Sequence, residues 1–247
     1  MEFTTEELLE AIDKVVRELL DLHDVTGPPV DALAILTDEF EYATREAEPE
    51  DDEPQMGRFG PRPPGSGGRN RRREVVFKPE QSDESRQVAC ARACAKELIP
   101  RVFARLGITA SPDHRPATAQ LVGLIAPRIL LPTKWFTRDA SKAGYDLFAL
   151  KGRYPTAGYE LITLRLLDLE EPCVITVVDD GAVGTRRSNC YGVNKTLHEA
   201  ERRCREKVAE EGEPQKVRFD GWTCWGWPIP GGAFRRIILR SLPDEIS

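Results

Sequence analysis

The hydrophobic period of this chain changes once, at Glu170, and that change bounds what it can fold into. Before Glu170, apolar residues recur every three to four positions, as on one face of a helix. After it, runs such as CVITVV and FRRIILRS carry the β-branched, period-two character of strands. The pattern predicts an α+β fold: a mainly helical lobe with a short sheet over residues 1–169, then a small α+β portion over 170–247. At 247 residues the chain can bury a substantial core as one domain or two lobes.

Within the helical part, Leu8, Ile12, Val15 and Leu19 fall at helical spacing over 4–22, with Thr4 as N-cap and Glu7 closing a capping box. After Gly27, Pro28 and Pro29, VDALAILTDEF reads as a second short helix. Residues 83–106 carry Val88, Ala91, Ala95, Leu98 and Val102 on one stripe, and Pro100 should kink or split that helix. Residues 117–131 are apolar nearly all round, which predicts a central helix bent at Pro127. Further helices are expected over 144–151 and over 156–168, the latter capped by Thr156.

Two stretches interrupt this pattern. Residues 46–73 run from acidic (EAEPEDDEPQ) through Pro/Gly-rich to basic (RNRRR), with few side chains able to offset the entropy of ordering, and read as a mobile insertion. EVVFK, closed by Pro79, reads as a short strand. In the C-terminal portion, Asp180 and Gly181 predict a hairpin turn, 195–211 a helix, and QKVRF and FRRIILRS two strands separated by the Trp-rich GWTCWGWPIPGG.

A net charge of −6 argues against nonspecific coating of nucleic acid. The acidic N-terminus does not fit a signal peptide, and no apolar run nears the roughly 20 residues that cross a bilayer, so a cytoplasmic protein with no membrane partner is expected. Six cysteines without a CxxC pair read as reduced thiols.

Several of these features, in order, resemble the ImmA/IrrE family of zinc-dependent peptidases. LLDLHDVTGPPVDALAI matches the family's helix, Pro-Pro-Val-Asp turn (Pro28, Pro29, Val30, Asp31) and second helix. The short strand followed by RQVACARACAK stands where the family has a strand and a helix reading approximately RRFTLAHELGH. LVGLIAPRILLP, ending in Ile129, Leu130, Leu131 and Pro132, resembles the helix that supplies the third zinc ligand, and RYPTAGYELITLRLLDL echoes the last element. The resemblance covers about residues 6–168 and implies a zincin-like lobe; GWPIP is similar to a strand of some longer members.

The same register removes the chemistry. Setting Arg86 on the family's arginine places Arg92 and Lys96 on the two histidine positions and Ala93 on the general-base glutamate, and the third ligand falls on Ala119 or Leu121. An HExxH helix works because two imidazoles at i and i+4 hold zinc from one face, and the metal lowers the pKa of its water to about 7. His23, His114 and His198 are too far apart in sequence to restore that spacing in any register. The expected function is that of a non-catalytic, pseudoprotease-like binding or regulatory protein with no metal and no cofactor. Arg86, Arg92 and Lys96 would meet an acidic segment of a protein or peptide partner, a transcriptional regulator being one candidate in stress or mobile-element control.

Cys90 and Cys94, also at i and i+4, offer two soft ligands but are expected to be core packing. A hydrolase with a non-standard site would draw on Cys94, His114 or Cys224. Arg71, Arg72 and Arg73 suit either phosphate contacts, in a nucleic-acid-responsive regulator, or pairing with nearby acids. Of Trp222, Trp225 and Trp227, alternation buries at least one.

Overall fold

Thr4 starts the first helix in the way its sequence predicts. Its hydroxyl accepts from the Glu7 amide at 3.1 Å, and the Glu7 carboxylate accepts from the Thr4 amide at 2.7 Å. α1 (Thr5–Leu22) then buries Ile12, Val15, Val16 and Leu19 along one stripe. The computed structural model describes residues 4–47, 73–109, 115–231 and 235–244; most of the insertion expected at 46–73, and His114, lie outside them. The chain divides into two compact units, Met1–Trp135 with Tyr154–Ala157, and Phe136–Arg153 with Gly158–Ser247. The fold is mixed α+β.

In the first unit, α1 is followed by α2 (Ala32–Phe40), the strands β1 (Ala43–Glu46) and β2 (Glu74–Phe77), and the helices α3 (Asp83–Arg105) and α4 (Arg115–Leu130). α3 lies against α1, α2 and α4. Its inner stripe is built from small residues, Cys90, Ala91, Cys94 and Ala95, all fully buried, with Leu98 and Val102 continuing it. α4 buries Leu121, Val122, Ile125, Ala126, Ile129 and Leu130. Each large aliphatic side chain so buried contributes about 1.5–3 kcal/mol.

Neither proline divides its helix, so the split offered as one outcome at Pro100 does not occur. α3 runs through Pro100 and α4 through Pro127. Pro100 is exposed, so the carbonyl it leaves unbonded on α3 can be met by water. α2 is capped by Asp31, whose Oδ1 accepts from the Leu33 and Ala34 amides and from Gln87 Nε2 of α3, while Gln87 Oε1 accepts from the Ala32 amide at 2.8 Å. One carboxylate thus starts α2 and fixes it to α3. β1, which the sequence reading did not contain, pairs in parallel with β2 in the register Ala43↔Glu74 to Glu46↔Phe77.

The second unit holds α6 (Leu147–Arg153), α7 (Tyr159–Arg165) with a following 3-10 turn (Leu166–Asp168), and most of α5 (Thr133–Lys142). α5 was not foreseen, and α7 starts at Tyr159 with Gly158, not Thr156, as its N-cap. The remaining strands, β3 (Val174–Asp179), β4 (Ala182–Ser188), β5 (Gln215–Phe219), β6 (Trp222–Ile229) and β7 (Arg236–Pro243), form one antiparallel sheet in the order β4-β3-β7-β6-β5. The predicted β3–β4 hairpin turns on Asp180 and Gly181, whose φ values of 48° and 84° are what Asp-Gly supplies. The Trp-rich stretch, expected to separate strands, is itself β6 and pairs with both β5 and β7.

α8 (Glu199–Glu211) covers one face of this sheet, with His198 as N-cap rather than a residue inside the helix. Ala200, Cys204 and Val208 of α8 pack with Val178, Val217, Cys224 and Leu239. The approach is close enough to require glycine at 226. A Cβ there would lie 2.8 Å from Val208 Cγ2 and 2.9 Å from both Cys204 Sγ and Leu239 Cδ2, inside van der Waals contact.

Candidate functional site

Helical spacing sends Arg92 and Lys96 to the same side of α3, and that side faces solvent: both are exposed. Ala93, one position on from Arg92, is 8% exposed and belongs to the packed side. Arg86 is used within the fold. Its Nη2 donates to Glu46 Oε1 at 2.7 Å, its Nε donates to the Gln81 carbonyl, and its guanidinium lies 5.5 Å from the centre of the Phe77 ring. Of the three cations expected to meet an acidic partner, Arg92 and Lys96 are therefore the exposed pair, and Arg86 ties α3 to β1 and β2.

The donor set along α3 does not fit zinc. Zinc takes deprotonated thiolate, neutral imidazole or carboxylate. The outward positions carry a guanidinium and an ammonium, two cations that would repel it. The inward cysteines are held as thiols: burial, then the Asp31 charge, pushes Cys90 up to about 12, and burial, then Cys90, pushes Cys94 up to about 12. Cys94 Sγ instead lies 3.8 Å from the Ala32 carbonyl as a weak donor. No group of three metal-binding side chains occurs among the described residues.

The basic cluster before β2 is described only at its last member, Arg73; Arg71 and Arg72 lie outside the described residues. Arg73 pairs with Glu97 of α3, and the Tyr42 hydroxyl donates to the other oxygen of Glu97 at 2.8 Å. Burial, then this carboxylate, pushes the Tyr42 phenol up to about 12. Glu97 thus collects a residue from each side of the β1–β2 pair. Sequence reasoning missed it, since nothing in a single helix turn marks which carboxylate will gather distant partners.

The second unit places its charges differently. Under α8, Glu201 is 0% exposed and accepts from Arg186 Nη2 at 2.8 Å, from the Thr176 and Ser241 hydroxyls at 3.1 and 3.0 Å, and from the His198 amide at 2.8 Å. Four donors thus converge on this carboxylate, one of them the buried Arg186 guanidinium, whose own Nε has no hydrogen-bond partner among the described residues. On the opposite face, cross-strand pairing sets Arg187, Ile175, Arg240, Trp225 and Lys216 in one row across the five strands. Arg240 is 3% exposed, lies 4.4 Å from the Tyr145 ring centre and 5.2 Å from that of Trp225, and pairs with Glu171 at 2.9 Å. Lys216 Nζ lies 4.8 Å from the centre of the Trp225 ring. Trp227 is the buried tryptophan of the three, its indole N–H donating to Asp146, and Trp222 stacks on His198 at 4.2 Å. The signal for Arg240 was present in the sequence: an arginine among the apolar residues of FRRIILRS sits at a position that alternation buries.

Comparison with known proteins adds the fold and little more. A solved structure described as a Mycobacterium tuberculosis transcriptional regulator superposes with a TM-score of 0.56 at 16% identity, covering 93% of this chain and 74% of that one. At that identity the likeness establishes shared architecture. No family model matches the chain, and no curated protein does.

The thiols named for a non-standard hydrolase are placed unfavourably for nucleophilic work, which needs a lowered thiol pKa. Cys224 is buried and pushed well above its usual value by desolvation and by Cys204 beside it, and Cys94 is raised as above. Cys190 is the exposed cysteine, with its sulfur 3.1 Å from the Ser188 hydroxyl. Among the described residues no helix is long and apolar enough to cross a membrane.

Proposed function

We propose that this chain is a non-catalytic relative of the ImmA/IrrE peptidases that acts in the cytoplasm as a binding or regulatory protein. The observation that carries the reading is the composition of α3 in the family register: two exposed cations at 92 and 96, a buried alanine at 93, and cysteines behind them held in the thiol form. A helix so built keeps the scaffold's packing and offers positive charge where the family offers metal ligands. Its partner is an acidic segment of a protein, and the architecture shared with a transcriptional regulator supports a place in transcriptional control.

The test is a pairwise one. The doubly reversed variant, Arg92→Glu with Lys96→Glu, and the wild-type chain are used to recover partners from the native host, and each partner is then titrated in purified form. Loss of at least tenfold in affinity for a partner with an acidic segment supports the reading. Partners that bind both chains equally contradict it.

A further inference from the structure

The second unit has a pocket that the α3 reading does not use. It is an open groove of about 520 Å³ between α5 and α6, lined by Arg138, Asp139, Lys142, Ala143, Leu150 and Arg153 among others. That volume is within the range of small-molecule sites, about 300–1,000 Å³.

Arg138 and Lys142 stand at i and i+4 on α5, a like-charge spacing that disfavours the helix. A cation in the last turn of each helix is explained by the backbone dipole, which accounts for Lys142 and Arg153 but not for Arg138 in the middle of α5. Asp139 is 12% exposed and uses one oxygen for each arginine: Oδ1 accepts from Arg138 Nε at 2.8 Å, and Oδ2 lies 3.4 Å from Arg153 Nε. Held by its Nε edge, each guanidinium still reaches solvent, at 48% and 55% exposure. Three cations against one carboxylate leave the lining with a net positive charge.

We infer that this pocket is a binding site for a small phosphorylated molecule, its phosphate held by Arg138, Lys142 and Arg153 and its apolar part lying over Ala143 and Leu150. Paired guanidiniums fixed in orientation suit the bidentate geometry of phosphate, and the ammonium adds a point charge beside them. In a regulatory protein such a site is where an effector would act. The inference concerns residues of the second unit alone and does not depend on the α3 surface.

The full-length chain is titrated with inorganic pyrophosphate at constant ionic strength by calorimetry, while backbone amide shifts are followed over residues 136–153. Saturable one-to-one binding is expected, with shifts centred on α5 and α6. Lys142→Gln and Arg153→Gln should each weaken it about tenfold, whereas Arg202→Gln on α8 should leave it unchanged. Citrate provides the carboxylate arm and should bind at least tenfold more weakly. Binding that does not saturate, that survives both pocket substitutions, or that is matched by citrate overturns the assignment. Thermal unfolding of each variant separates lost binding from lost folding, and because Lys142 is exposed its substitution should leave the fold intact.

Discussion

α3 and α8 each place one face against a core, and they treat charge in opposite ways. α3 turns apolar and thiol side chains inward, from Cys90 to Phe103, and sends Arg92 and Lys96 to solvent. α8 turns Glu201 inward to meet Arg186, Thr176 and Ser241 beneath it. The resemblance to zinc peptidases points at α3 as the helix that should carry buried chemistry, yet the buried ion is on α8. A helix whose inward side chains carry no charge is a packing element with a charged exterior. A helix that retains one must keep every partner in place, because an uncompensated buried charge is far more costly than an apolar substitution.

Glu201→Ala strands the Arg186 guanidinium, whose side chain is 2% exposed, and should cost about 3–5 kcal/mol in urea unfolding. A loss under about 1 kcal/mol would mean that α8 carries its charge no more critically than α3. Gly226→Ala drives a methyl group into Val208, Cys204 and Leu239 and should destabilise by about 1–3 kcal/mol, lowering Tm, since the packed helix cannot retreat without opening its contact with β6.

A smaller effect is expected at the Asp179–Arg236 pair. Hydrogen bonding from Arg236 holds the Asp179 carboxyl below its ordinary value against the opposing effect of burial. A depressed folded-state pKa contributes stability that is fully present above the unfolded value of about 3.9 and is lost as pH falls through the folded value. The pair is about one-third exposed, so solvent screening keeps Asp179→Asn to under about 1 kcal/mol at neutral pH. Stability curves of variant and wild type should converge below about pH 4. The smallest change is expected for Arg92→Glu with Lys96→Glu, within about 0.5 kcal/mol of wild type because both side chains are exposed. A large loss there would make the α3 exterior structural and remove its role as a binding surface.

Local rules made part of this molecule legible from sequence. The Thr4–Glu7 box, the apolar α4 and the Asp180–Gly181 turn are set by residues within a few positions of each other, and all three stand where the pattern placed them. β1 escaped because ATRE is four residues, two of them charged, with no apolar alternation. β6 escaped because Gly226 and Pro228 read as loop formers; close packing against α8 requires the glycine, and β6 keeps its register through Pro228↔Ile237. The pairing of Glu201 with Arg186 and Ser241, and the convergence of Arg138 with Arg153 on one pocket, are properties of tertiary placement that no single-segment period encodes.

The central claim is that α3 cannot hold a catalytic cation. The most direct measurement is zinc stoichiometry by native mass spectrometry after the purified chain is incubated with equimolar zinc and desalted. The account predicts a chain at its apo mass, with retained zinc far below one per molecule. One tightly held zinc per chain, lost when α3 residues are substituted, would contradict it.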